Sequence, residues 1–101
     1  MQQFEILILE EALADIEEVF DYIAYELKSP DTAIDYRFGL LEKINSLKDS
    51  AGIFAPSSRE FLKLRYGQEV YTINYKKMVI VYNLDGNTAV IRRVMAGGLV
   101  L

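Results

Sequence analysis

The chain has 101 residues, 51% apolar and 26% charged, which suits one globular domain with a single core and leaves no room for two. A net charge of −4 is the wrong sign for a protein held to nucleic acid mainly through phosphates. Cysteine and histidine are both absent, which excludes disulfides, thiolate zinc sites, any Ser-His-Asp arrangement and the commonest general base.

The N-terminal FEILILE, residues 4–10, is a short apolar, β-branched run that reads as a first strand. Nothing there reads as a signal peptide, and no apolar run approaches a membrane span, so the expected compartment is the cytoplasm. A helical pattern follows, with Leu13, Ile16, Phe20, Ile23 and Leu27 at steps of three and four, widened by Ala12 and Val19. Acids crowd its first turns, where the helix dipole favours them. Glu11, Asp15 and Glu18 share a face, but with no partner ligands in the sequence they read as surface acids. No metal and no cofactor is expected.

In KSPDTA, Ser29 suits an N-cap and Pro30 the first helical position, so a second helix is predicted from about Pro30 to Lys48. Ala33, Leu40, Ile44 and Leu47 form its narrow apolar stripe, flanked by Ile34, Tyr36, Phe38 and Leu41. The connection is short, so the two helices should pack as an antiparallel hairpin. DSAGIFAPSSRE then reads as a loop.

Beyond it the period becomes strand-like: EVYTINY, KMVIVYNL and TAVIRRVM are three β segments, with LDGN a strong hairpin signal between the last two. This half is locally basic. Arg59, Lys63, Arg65, Lys76, Lys77, Arg92 and Arg93 face only Glu60, Glu69 and Asp85. Neighbouring strand residues point to opposite faces, so Arg92 and Arg93 pose a question. One should point to an open face of the sheet. The other should reach the rim or an acid on the first helix, with an ion pair for whichever lies inward. The expected fold class is α+β: an N-terminal strand, an antiparallel helix hairpin, then a three-stranded antiparallel meander, with the helices on one face of the sheet. Residues 1–101 form a single domain in this reading.

That order resembles the RelE/ParE family of bacterial toxin–antitoxin toxins. The residues that carry the resemblance are Asp15, Ile16, Tyr22 and Ile23 in the first helix, and Ala33, Tyr36, Leu40, Ile44 and Leu47 in the second. The apolar strand MVIVYNL ending near Tyr82, and the closing IRRVMAGGL, complete the set. The resemblance implies a toxin neutralised by a cognate antitoxin, with DNA gyrase (ParE-like) or mRNA in the ribosome (RelE-like) as target. RelE-like members carry an arginine three residues before the aromatic matched by Tyr82, and this chain has Val79 there. They also carry an arginine and a tyrosine in the tail, where this chain has only 96-AGGLVL-101.

The leading reading is therefore a ParE-like binder of a macromolecular target, not an enzyme. The alternatives are a RelE-type endonuclease using Arg65, Tyr75 and Arg92, and a non-toxic interaction module. The expected target- or antitoxin-binding residues are Arg65, Tyr71, Lys76, Lys77, Arg92 and Arg93. A mean hydropathy slightly above zero suggests apolar surface that an antitoxin, or a second copy in a homodimer, would cover.

Overall fold

The computed structural model describes residues 3–99, so the last two residues of the short tail lie outside the described residues. Strand β1 (Glu5–Ile8) leads into helix α1 (Glu10–Asp21), which continues as a π-helical turn, Tyr22–Glu26. Helix α2 (Pro30–Asn45) begins at the proline its sequence marks, and a short helix α3 (Leu47–Ser50) extends it. After an irregular segment come helix α4 (Glu60–Tyr66) and strands β2 (Val70–Tyr75), β3 (Met78–Asp85) and β4 (Thr88–Ala96), then a 3-10 turn, Gly97–Leu99.

The sheet has strand order β1-β4-β3-β2. The meander is antiparallel as its turns require, and β1 adds to it parallel to β4, with Ile8 opposite Ile91. Asp85 pairs with Thr88 across the hairpin, and Gly86 supplies the positive φ of 58° that the tight turn needs. The Tyr75–Met78 turn has no glycine, and Lys76 itself adopts φ 53°.

The main core lies between the sheet and the helix hairpin. Ile16, Leu40, Ile44 and Leu47 pack there against Tyr71, Ile73, Ile80, Tyr82, Ile91 and Val94. Leu13 and Leu27, expected in the apolar stripe of the first helix, are half exposed, and Ala12, Ile16, Ile23 and Ala24 make the buried line instead. For Leu27 the wide π turn is the reason: it places residues 23 and 24 inward and leaves 27 outside. The hairpin is clasped by Arg37, whose guanidinium lies 3.7 Å from the Phe20 ring centroid and bonds Glu17 at 3.1 Å.

Helix α4 has no counterpart among the elements expected from the sequence. It lies on the opposite face of the sheet, where Leu62 and Tyr66 pack against Val70, Val79, Val81 and Met95 in a second small core. The β2–β3 half of that face is thus covered.

Tyr82 is fully buried, and its hydroxyl donates to the Ala51 carbonyl oxygen at 2.9 Å. Tyr82→Phe is expected to cost about 1–2 kcal/mol, measured by urea unfolding, because the buried carbonyl loses its partner. Burial first, and the neighbouring Tyr71 second, push the Tyr82 phenol well above its ordinary value of 10. The native state therefore keeps a proton that the unfolded chain releases. The resulting stability is fully present below pH 10 and is lost as pH rises above it, by up to about 1.4 kcal/mol per pH unit. Tyr82→Phe should show a shallower alkaline limb.

Candidate partner-binding surfaces

The paired arginines are explained by an irregularity in β4. Val81 is opposite Arg93 and Tyr82 is opposite Ile91, so Arg92 is an extra residue, a β-bulge. Directly paired residues share a face, and Val81 belongs to the α4 core, so Arg93 starts on that face. Arg92 starts there too, with its guanidinium carbon 5.3 Å from the Tyr66 ring centroid.

Arg93 then reaches round the edge of β4 to helix α1. Its Nε donates to Asp15 Oδ2 at 2.7 Å and its Nη2 to Oδ1 at 3.0 Å, a bidentate pair. The same carboxylate accepts the Val94 backbone N–H at 2.8 Å. Strand β1 stops opposite Ile91, so among the described residues β4 has no strand neighbour on that side at Val94, and Asp15 accepts its N–H instead. Asp15's hydrogen bonds hold the guanidinium above arginine's already high range against the opposing effect of burial, and the Tyr66 hydroxyl acts in the same direction. The ion pair expected for an inward arginine is present. The opposite-face expectation is corrected, because the bulge breaks the alternation on which it rested.

Of the remaining candidates only Arg65 joins Arg92 at the Tyr66 ring, and the others lie elsewhere. Tyr71 is buried in the main core and its ring stacks on Tyr82 at 5.3 Å, so its ring is core rather than contact surface. Tyr75 packs edge-on to Tyr36 of α2 at 5.3 Å. A Cβ at Gly39 would fall 2.8 Å from the Tyr75 Cζ, so the glycine is what lets the ring lie against the helix. Arg65 lies beside Tyr66 on α4, across the sheet from Tyr75. Of the three residues that an RNase would need together, Arg65 and Arg92 are therefore on one face and Tyr75 on the other. Lys76 Nζ lies 5.5 Å from Tyr36 and 5.6 Å from Tyr75, measured to the ring centroids, and Lys77 lines a neighbouring cleft.

Two further surfaces are a cleft and an exposed apolar row. A cleft of about 330 Å³ between α1 and the free edge of β4 is lined by Asp15, Glu18, Tyr22, Arg93 and Met95 among others. The outer side of α2 carries Ile34, Phe38 and Leu41, all exposed, at spacings of four and three. Beside them lies a groove of about 570 Å³ whose apolar walls are Phe38, Leu41, Ile44, Ile6 and Ile8. The sequence places these residues beside the core stripe, but their separate helical phase marks a second apolar face. Among the described residues no group of three or more carboxylates is placed to hold a metal. No described helix is long and apolar enough to cross a membrane.

Strand, helix hairpin and meander with a bulged last strand define a small α+β domain. The family model for the ParE toxin of type II toxin–antitoxin systems (parDE) matches residues 6–98, and the chain belongs to that family. It is thus the toxin of a type II module, of ParE type. Similar solved structures include the chromosomal ParDE system of P. aeruginosa, at 18% identity and TM-score 0.77, covering 93% of this chain and 96% of that one. The toxin–antitoxin complex RelBE2 of Mycobacterium tuberculosis matches at 16% identity and TM-score 0.55, covering 93% and 98%. At these identities both support the fold alone. No curated protein matches the sequence.

Proposed function

We propose that this toxin acts by binding a macromolecular target such as DNA gyrase, without cleaving RNA, and that a cognate antitoxin neutralises it by covering the outer face of α2. The observation that carries the non-enzymatic reading is the dispersal of Arg65, Tyr75 and Arg92 over both faces of the sheet. General acid–base cleavage of RNA needs a proton-transfer group and cations around one phosphate, and this arrangement cannot supply them from those residues. The antitoxin reading is supported by the apolar row Ile34, Phe38 and Leu41, a spacing that suits an amphipathic partner segment laid along the groove.

Induced expression without an antitoxin is expected to arrest growth with double-strand DNA breaks and full-length transcripts. Transcripts cut within ribosomes, with DNA intact, would overturn this reading in favour of a RelE-type nuclease.

A further inference from the structure

The second edge of the sheet, β2, is open along part of its length. The Val70 carbonyl oxygen accepts the Ser57 backbone N–H at 2.7 Å, so Val70 points its backbone groups away from β3. By alternation the N–H and C=O groups of Thr72 and Asn74 point the same way, and they have no partner among the described residues. Such an edge is a template for another strand.

Cations surround it. A cleft of about 340 Å³ is lined by Arg59, Asn74, Lys76 and Lys77 together with Gly97 and Gly98. It adjoins a second of about 440 Å³, which shares Arg59 and Asn74 and adds Lys43, Phe54 and Thr72. No acidic residue lines either cleft, and none of the four cations is in an ion pair among the described residues. They come from three separate places in the chain: α2, the residue before α4, and the β2–β3 turn. In a protein of net charge −4 this is a concentrated local field.

We propose that this groove docks an extended acidic peptide segment of a partner protein, added as a fifth strand beside β2. The free edge alternates donors with acceptors. A peptide strand answers both, and acidic side chains at its alternate positions meet the lysines and Arg59. A DNA backbone offers only acceptors and an RNA backbone adds only its 2′-hydroxyl as donor, so either would set phosphate oxygens against the Thr72 and Asn74 carbonyls. Lysines on an edge also serve to discourage pairing, but that role does not call for a cation contributed by α2 or by the loop. The site lies apart from the outer face of α2 and does not depend on the identity of the target.

The test begins with a random peptide library displayed on phage and selected on the full chain. Selected peptides are expected to carry acidic residues at alternate positions and to bind more weakly as salt rises. They should also slow hydrogen exchange at the Thr72 and Asn74 amides. Arg59→Ala and Lys76→Gly should each weaken binding about tenfold. Lys76→Gly also relieves the left-handed backbone at that position, so its Tm should hold or rise, which separates lost binding from lost folding. Any one of four results would overturn the proposal. These are no selected peptide, peptides without acidic bias, affinity unmoved by both substitutions, or single-stranded DNA that binds this groove more tightly than the peptides.

Discussion

Asp15→Ala is expected to lower stability by about 2–4 kcal/mol, a Tm drop on the order of 10–20 °C for a domain of this size, in chemical and thermal unfolding. The side chain is small and sits on a helix, where alanine has the better propensity, so the loss comes from what it holds. The carboxylate is only 11% exposed and accepts three short hydrogen bonds, two from Arg93 and one from the Val94 backbone. Its removal leaves an N–H unpaired at a strand edge and a guanidinium 28% exposed, with Glu11 at 3.9 Å as its remaining carboxylate. Partial exposure of Arg93 lets water recover some of the loss, which keeps the estimate below that for a sealed pair. Asp15→Asn should fall between, since an amide oxygen can still accept one bond. Combining Asp15→Ala with Arg93→Met should restore part of the loss, because no unpaired charge is then left behind. A cost below about 1 kcal/mol for Asp15→Ala would show that the edge of β4 does not depend on this carboxylate.

The same link shows how far the sequence could be read. An ion pair for an inward arginine follows from the cost of burying an unpaired charge, with the sheet rim or an acid on the first helix as its expected reach, and Arg93 with Asp15 meets it. The bulge does not follow, because its extra residue is Arg92, with no glycine or proline to mark it, and its effect is to reverse the parity of everything after it. Ile91 and Val94, which alternation would place on opposite faces, therefore share the main core. Helix α4 escaped for a different reason. Its inward residues are Leu62 and Tyr66, one turn of repeat, while Phe61 and Leu64 face out and blur the period. Tyr71 is a contact candidate in the sequence because it lies in the basic, tyrosine-rich half, and Val70 beside it is apolar too, so parity does not choose a face. Only the presence of α4 on one side and the hairpin on the other shows that both are covered. The parallel pairing of β1 with β4 joins residues about eighty apart in sequence, and no local pattern encodes it. Local signals such as Pro30 and the turn at Gly86 were legible because the backbone demands them on the spot.

Phe38→Glu is expected to leave folding and toxicity intact while weakening antitoxin binding about a hundredfold or more, so that co-expressed antitoxin no longer rescues growth. Phe38 is 64% exposed at the centre of the row formed by Ile34 at 57% and Leu41 at 38%, and it supplies a wall of the groove beside β1. A large aromatic at the middle of an apolar row is the kind of residue whose truncation removes about 2–4 kcal/mol of binding, or a factor of 30 to 1,000. Glutamate adds the cost of stripping water from a charge, beside Glu42, which already lines the groove. The free protein loses little, because the ring already stands in water and glutamate is a good helix former. Calorimetric titration with antitoxin and a growth-rescue assay read the two effects separately. Undiminished binding would move the antitoxin off α2, and the cleft where Tyr22 and Met95 flank Arg93 would then be the next surface to test.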